Sequence, residues 1–341
     1  MAKPNLWGMK KLASKPYPIA GAQSVAPAAQ VTFDLKDYLQ AETISRVFIR
    51  VRGNVIVAGA GAGVATGRDN PESLVTSITA RHAPALGVVS KNNLSARGII
   101  QQSIFDRGYS IHGTAIADAA ATVPVDYWLP LNFKMPGSVN PIEWGLPMSL
   151  FTSYQLQVNC GGREQFFSGG VNTWDATGLV VELWVDYDSG VAGAFHLVEE
   201  FEISQPVLQT QTDLQVILEK GFQYTHILFV AQTANAKDNT LINGITVQSA
   251  GRVWTPQGDK NAQMIQNWNR ETHVNNAAES LVGTYFIPAL RDGMASRGID
   301  ASQDRVEIKL DVTFGAGPSN ILIRGRRIIP QALSVAPAKA A

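Results

Sequence analysis

Charge is the scarcest feature of this sequence of 341 residues: Asp, Glu, Lys and Arg make up 16% of it, against roughly 25% in an average soluble domain. Because interface cores are depleted in charged residues, we expect much of the surface to be covered by protein–protein contacts. The 28 basic and 28 acidic side chains balance to a formal net charge of zero. This balance argues against a surface devoted to nucleic acid, so specific nucleic-acid recognition is not expected.

Cysteine, histidine and long apolar runs are also scarce. Cys160 is the single cysteine, which excludes an intramolecular disulfide and a cysteine-based zinc site. The histidines show no metal-binding spacing, so no metal or cofactor is expected: His82, His112, His196, His226 and His273. No stretch approaches the ~18–20 apolar residues of a membrane span. Pro, Lys and Gly interrupt the apolar runs of Met1–Ala29, so we expect no signal peptide and synthesis in the cytoplasm.

Glycine-rich residues imitate a nucleotide-binding loop after the apolar run Val55–Val57. Val64 stands where the dinucleotide fingerprint needs a glycine, and a turn-forming run, Gly67–Pro71, replaces the required helix. Neither a Gly-Lys-Ser/Thr triplet nor a Gly-x-Ser-x-Gly elbow occurs. The sequence therefore predicts a flexible loop here, and it predicts that the protein is not an enzyme and has no catalytic residues.

Polar and apolar residues alternate with the two-residue period of a β-strand, most clearly over Ile44–Val57. Gly, Asn, Asp and Pro clusters separate further predicted strands: Leu74–Thr79, Val123–Phe133, Tyr154–Val158, Leu179–Tyr187, Ala194–Ile203, Leu214–Leu218, Tyr224–Ala231, Leu241–Val247, Leu281–Ala289, Val306–Phe314 and Asn320–Ile328. Only Asn93–Arg107 and Asp259–Glu271 show helical spacing. Many short strands with turns between them predict an all-β protein of sandwiches or barrels.

The two halves of the chain repeat the same pattern. Ser73–Thr79 resembles Thr240–Thr246, and Arg46–Ile49 resembles His226–Phe229; in each half a helix and an aromatic–aliphatic–proline strand follow. A repeated order predicts one architectural unit used twice. We predict an N-terminal arm (1–30), two β-sandwich domains (31–190 and 191–330) and a C-terminal tail (331–341). Two unrelated sandwich domains are the alternative.

Tyr127-Trp128-Leu129-Pro130-Leu131, the helix in each half and the entry strands in Phe33–Val57 carry a resemblance. Over residues 30–330 the chain resembles the double jelly-roll major capsid proteins of tailless, icosahedral, membrane-containing bacteriophages of the tectivirus and corticovirus type. The resemblance implies two tandem jelly rolls, a homotrimeric pseudo-hexagonal capsomer, and a virion shell tiled by such capsomers. Its implied partners are copies of itself, neighbouring capsomers, other capsid proteins such as a penton, and an internal lipid membrane. Synthesis would take place in the host cytoplasm.

Two basic segments are candidate assembly sites. The N-terminal arm has an assembly or membrane-facing role in the family, and its matching residues are Lys3, Trp7, Lys10, Lys11 and Lys15. Arg324, Arg326 and Arg327 end the last predicted strand. We expect these three arginines to form ion pairs across a subunit boundary; contact with nucleic-acid or lipid phosphate is the alternative.

Other features leave alternatives open. Glu199, Glu200 and Glu202 are expected on a solvated strand edge, with a calcium site as the alternative. The connection Lys134–Leu150 is either a surface loop or an inter-subunit contact. Trp174, next to Asn172 and Asp175, favours a second function, a carbohydrate- or receptor-binding β-sandwich such as a viral spike or adhesin. A cupin-like enzyme would require clustered histidines, which the sequence lacks.

Overall fold

The structure is a computed structural model of the full chain. It describes residues 6–18, 29–58, 64–65, 74–84, 90–107, 121–133, 145–162, 167–168, 173–189, 198–234, 236–256, 258, 260–272, 281–288, 298–301, 304–315 and 317–328. Within these residues the protein is built of antiparallel sheets with two α-helices, α1 (Ala96–Arg107) and α2 (Ala262–Thr272). Neither of these helices is long and apolar enough to cross a bilayer.

The first jelly roll consists of strands from the N-terminal half of the chain: β1 (Leu6–Pro16), β2 (Gln30–Asp34), β3 (Thr43–Ala58), β4 (Val64–Ala65), β5 (Val75–Pro84), β6 (Ser90–Ser95), β7 (Ala121–Asn132), β8 (Leu146–Pro147), β9 (Phe151–Cys160), β10 (Phe167–Ser168), β11 (Thr173–Asp175) and β12 (Val180–Ser189). Sheet 1A has the order β1-β12-β3-β7, and sheet 1B has the order β2-β9-β5-β6. The short strands β8 and β11 also pair with β3, and β4 pairs with β10.

The second jelly roll consists of strands from the C-terminal half: β13 (Val198–Val207), β14 (Gln211–Leu218), β15 (Gln223–Thr233), β16 (Ala236–Lys237), β17 (Ile242–Ser249), β18 (Arg252–Val253), β19 (Thr284–Pro288), β20 (Ile299–Asp300), β21 (Val306–Val312) and β22 (Ser319–Ile328). Sheet 2A has the order β13-β22-β15-β19, and sheet 2B has the order β14-β21-β17-β18. The short strands β16 and β20 pair with β15.

The two jelly rolls are equivalent strand for strand. Sheet 1A corresponds to sheet 2A, and sheet 1B to sheet 2B, with each strand in the same place in the order. The register agrees as well: Ile78 lies opposite Val158 in sheet 1B, and Ile245 lies opposite Leu310 in sheet 2B. The internal repeat and the two tandem jelly rolls predicted from the sequence are therefore confirmed.

Alternation of side chains along the strands produces one core in each roll. On β3, Val47, Ile49 and Val51 point into the core between sheets 1A and 1B, whereas Phe48 and Arg50 point to the opposite face. The second core is formed in the same way by the inward residues of sheets 2A and 2B. We call the face of sheet 1A or 2A that points away from its own core the outer face.

The N-terminal segment, predicted as an arm of irregular or extended chain, contains a strand. Residues Leu6–Pro16 form β1, which pairs with β12 along its length as an edge strand of sheet 1A. The register shifts between Lys11 and Ala13, and such a bulge breaks the two-residue alternation that would reveal the strand in the sequence. The first roll therefore includes a strand that precedes residue 31. The other predicted domain limits, including 190/191, stay predictions.

Candidate assembly surfaces

The predicted basic cluster lies on β22, a strand inside sheet 2A. The side chains of Arg324 and Arg326 are each 1% exposed, and they project from the outer face of the sheet toward the first jelly roll. Moving a charge out of water costs several kcal/mol unless a partner of opposite sign compensates it. These two arginines therefore require acidic partners.

The partners are glutamates of the neighbouring strand β13. Glu200 binds both arginines: it pairs with Arg324, and its Oε1 atom lies 3.2 Å from Nη2 of Arg326. Oε2 of Glu202 lies 3.1 Å from Nη1 of Arg324. The antiparallel register places Glu202 opposite Arg324 and Glu200 opposite Arg326. The acidic pattern Glu-Glu-x-Glu on β13 therefore lies opposite the basic pattern Arg-x-Arg-Arg on β22, with the order of the charges reversed.

These pairings correct two of the predictions. Arg324 and Arg326 do not reach a subunit boundary, because they form their ion pairs within one chain. Glu199, Glu200 and Glu202 do not lie on a solvated edge, because β6 of the first jelly roll packs against β13. Their carboxylates bind arginines, and among the described residues no group of acidic, histidine or cysteine side chains is arranged to bind a metal ion.

Arg327 and Glu199 extend the charged network to the end of the sheet. Arg327 pairs with Glu199 and also, at 2.5 Å, with the more exposed Glu219. Nε2 of His82, from β5 of the first roll, lies 3.4 Å from Oε2 of Glu199. Burial would raise the pKa of Glu199, but the hydrogen bond from His82 and the charge of Arg327 outweigh it and lower this pKa to about 2.

The first jelly roll supplies backbone donors to the same glutamates. The backbone N–H of Ser95 donates to Oε1 of Glu202 at 3.0 Å. The backbone N–H of Asn132 donates to Oε1 of Glu200 at 3.5 Å. Hydrogen bonds to ionised carboxylates are stronger than neutral ones. The charged network therefore joins the two rolls as well as the two strands.

Helix α1 lies against the outer face of sheet 2A through polar contacts. Nε2 of His226 and Oε1 of Gln102 are 2.8 Å apart, and both residues are buried. Oγ1 of Thr284 donates to Oε1 of Gln101 at 3.2 Å. His226 is therefore a hydrogen-bonded structural residue on a buried strand.

An apolar cluster lies beside these polar contacts. Phe105 of α1 stacks on Phe286 with ring centroids 4.4 Å apart. The cluster contains no residue of either jelly-roll core; its buried members are Phe105, Leu228, Val230, Leu281, Phe286 and Leu322. We call the whole contact of α1, β5, β6 and β7 with the outer face of sheet 2A the inter-roll interface.

The outer face of sheet 1A carries an aromatic cluster instead. The ring centroids of Phe48 and Trp128 are 5.8 Å apart, and those of Trp128 and Trp184 are 5.4 Å apart. The guanidinium of Arg46 lies 5.5 Å from the centroid of Phe48, and that of Arg50 lies 4.7 Å from the centroid of Trp128. Cations over aromatic faces are attracted by the ring quadrupole.

Acidic residues balance the arginines of this face. Glu182 lies within 3.5 Å of Arg50, 2.9 Å of Arg52 and 3.3 Å of Lys11. Asp126 lies 2.6 Å from Arg50. Burial would raise the pKa of Glu182, but hydrogen bonds from Trp184 and the basic neighbours outweigh it and lower the pKa. The face is therefore an aromatic surface surrounded by compensated charges.

The predicted arm residues lie in different places. Lys10, Lys11 and Lys15 are exposed on β1. Nζ of Lys15 lies 5.2 Å from the ring centroid of Phe33, which links the strand to sheet 1B. Lys3 and the side chain of Trp7 lie outside the described residues, and so do residues 59–63 of the glycine-rich loop, residues 134–144 of the long connection, Asn172 and the side chain of Trp174.

Sequence reasoning missed the pairing of the acidic and basic clusters. The signal was present, because Glu199-Glu200-Phe201-Glu202 and Arg324-Gly325-Arg326-Arg327 are mirror images in charge. Antiparallel strands bring such mirrored patterns into register. Recognising it would have required knowing that strands separated by more than a hundred residues are neighbours.

Comparison with known proteins shows the fold but no close relative. No protein-family model and no curated protein match the sequence. Among solved structures, a chain of Sulfolobus turreted icosahedral virus gives a TM-score of 0.67 at 11% identity, covering 97% of this chain and 94% of that one. This chain has the double jelly-roll fold of viral major capsid proteins.

Two further structures agree. The Faustovirus major capsid protein gives a TM-score of 0.61 at 10% identity, covering 96% of this chain and 91% of that one. The major capsid protein of bacteriophage PM2 gives 0.57 at 10% identity, covering 96% of this chain and 99% of that one. The predicted fold class and the predicted resemblance are confirmed, and the similarity extends over both jelly rolls.

Proposed function

We propose that this chain is a structural major capsid protein, which assembles with copies of itself into the shell of a virus particle. One observation carries the proposal: two equivalent jelly rolls are fixed together in one chain, in a fold that spans 91–99% of three viral chains. Its activity is assembly and not catalysis, and the virion is its proposed location after synthesis in the host cytoplasm.

The proposed assembly unit is a homotrimer. In a heterologous contact, one surface of a copy binds a different surface of the next copy. Such contacts form a closed ring when the rotation from copy to copy adds up to a full turn. Three copies bring six similar jelly rolls into one ring, which gives the capsomer a pseudo-hexagonal outline. Such capsomers tile a surface through contacts with their neighbours, and a penton protein would fill the five-fold positions.

The N-terminal segment has a proposed role beneath the shell. Residues 1–30 include the predicted arm residues Lys3, Trp7, Lys10, Lys11 and Lys15. Clustered lysines are attracted to anionic lipid headgroups, so we propose that this segment contacts an internal membrane or neighbouring capsomers. Deletion of residues 1–5 should leave the trimer intact and reduce flotation of the protein with anionic vesicles.

The mass of the purified protein in solution tests the proposed function. Light scattering coupled to size exclusion should give three times 36.7 kDa, about 110 kDa. Imaging of concentrated protein or of particles should then show pseudo-hexagonal capsomers. A protein that stays monomeric at high concentration and forms no particles would contradict the proposal.

A further inference from the structure

The chain covers the outer face of sheet 2A with its own helix α1, but α2 packs against β17 and β19 of its own roll. On the equivalent face of sheet 1A, Met9 is 45% exposed, and on α2 Met264 is 53% exposed. We infer that α2 of one copy packs on the outer face of sheet 1A of a second copy, in the arrangement of the inter-roll interface. This inference rests on the proposed function and adds to it the two surfaces that meet.

The two helices can be aligned through their core positions. Ala96 and Ile99 of α1 are buried in the first core, and Ala262 and Ile265 of α2 are buried in the second. Both alanines are the first residue of their helix. The alignment then equates three further pairs: Gly98 with Met264, Gln101 with Asn267, and Gln102 with Trp268.

At the aligned positions, the side chains of α1 are more buried than those of α2. Gln101 and Gln102 are 1% and 2% exposed, because they face sheet 2A. On α2, Met264 and Asn267 are exposed and Trp268 is half-buried. The same helix face is therefore covered in one roll and accessible in the other. A second copy of the chain can supply the missing cover, since it presents a face equivalent to the one that α1 contacts.

The strand register identifies the matching positions on the two outer faces. His226 lies opposite Arg326 across β15 and β22, and Leu228 lies opposite Arg324. In sheet 1A, Arg46 lies opposite Asp186 and Phe48 lies opposite Trp184. With β3 equivalent to β15, these pairs correspond one to one. Sheet 1A therefore has Arg46 where sheet 2A has His226, and Trp184 where it has Arg324.

The closest approach of α1 shows which residues of two copies would touch. A Cβ added at Gly98 would lie 2.3 Å from Oε2 of Glu202 and 3.1 Å from Cδ of Arg324. On β1, Lys11 lies opposite Trp184, as Glu202 lies opposite Arg324 on β13. The equivalent contact between copies therefore brings Met264 against Trp184 and Lys11.

The chemistry of the two surfaces is complementary. Glycine allows α1 to approach its sheet closely, whereas Met264 needs a wider gap, which the large rings of sheet 1A fill. A thioether next to an aromatic ring is a favourable contact. By the same alignment, Trp268 takes the position of Gln102, and Arg46 takes the position of His226. Trp268 of one copy therefore meets Arg46 of the other, and such a pair forms a cation–π contact. The side chains of Arg46 and Lys11 are 36% and 42% exposed and belong to the polar rim of the contact.

Engineered disulfides test the contact directly, because the single native cysteine is buried and should not cross-link. Cys160 is buried, and burial raises the pKa of its thiol to about 12, so the wild-type chain should form no disulfides. The variant Lys11→Cys/Met264→Cys should be linked by mild oxidation into species of up to three chains. Either cysteine alone should leave the chains unlinked, because the contact joins two different surfaces. The matched control is Lys11→Cys/Ile217→Cys, since Ile217 of β14 is 47% exposed outside the inferred contact.

A charge substitution gives a second measurement. Met264→Asp should raise the dissociation constant of the trimer at least tenfold, whereas Ile217→Asp should leave it unchanged; both variants should keep the wild-type circular dichroism. A trimer that links only through the Lys11/Met264 pair supports the inference. A trimer that fails to link through this pair, or links equally through the control pair, overturns the inference and leaves the proposed function intact. A wild-type chain that stays monomeric overturns both.

Discussion

The outer faces of sheets 1A and 2A occupy equivalent places but have different chemistry. On sheet 2A, Arg324 and Arg326 are completely buried with Glu200 under the first roll. On sheet 1A, Arg50 pairs with Asp126, whose side chain is 53% exposed. Removing one member of a buried ion pair is strongly destabilising, whereas exposed pairs contribute little. The difference separates a face that is covered by the first roll of the same chain from a face on which Arg50 is paired with a partly exposed carboxylate.

Glu200→Gln should have the largest effect on the folded chain. It removes the carboxylate that neutralises both Arg324 and Arg326, two buried guanidinium groups of which Arg324 also pairs with Glu202. We expect the free energy of unfolding to fall by roughly 3–5 kcal/mol, measured by urea denaturation at equal protein concentration. The control Glu219→Gln, at the exposed end of the same network, should cost less than about 1 kcal/mol. Equal losses of unfolding free energy in the two variants would show that the burial of Glu200 does not make its ion pairs more important than that of Glu219.

Phe105→Ala should have the next largest effect, because it empties the apolar part of the inter-roll interface. Phe105 is 8% exposed and stacks on Phe286. Loss of a buried phenyl ring costs about 3 kcal/mol or somewhat more. On α2, Met264→Ala should change the stability of the isolated chain by no more than about 0.5 kcal/mol. Thermal unfolding of dilute, monomeric samples checks both values, and a large loss for Met264→Ala would mean that α2 is already covered within its own chain.

The fold could be predicted from local pattern. Alternation over Ile44–Val57 and the matching order of the two halves are local signals, and β3, the two helices and the repeat all follow from them. β1 was missed because the bulge between Lys11 and Ala13 interrupts the alternation. A strand with such a break resembles an irregular segment in sequence.

The charged network could not be placed by local reasoning. Glu199 and Arg327 are separated by 128 residues in the sequence and are neighbours only because β13 pairs with β22. Their burial depends on a further element, β6 of the other jelly roll. An acidic triplet on an edge strand is normally solvated, and the second roll departs from this rule because its edge is covered by the first.

Acid should weaken the inter-roll interface through Glu199. Its pKa is lowered from an ordinary value of 4.5 to about 2, so the folded state favours the ionised form. The resulting stability is fully present above about pH 4.5 and is lost as the pH falls toward 2; we expect roughly 3 kcal/mol. Glu199→Gln should remove this part of the pH dependence between pH 4.5 and 2. If this variant showed the same acid transition as the wild type, the pH dependence would have to come from other carboxylates.

Asp126→Asn should have only a small effect on the chain, and it sharpens the comparison most. It leaves the aromatic cluster of sheet 1A in place and removes only an exposed partner of Arg50. We expect the unfolding free energy of the monomer to change by less than about 1 kcal/mol. Salt should reduce even this difference, because exposed charges are screened. If urea denaturation gave a loss as large as that for Glu200→Gln, the outer face of sheet 1A would be as firmly fixed by folding as that of sheet 2A. It would then be a less suitable surface for reversible assembly.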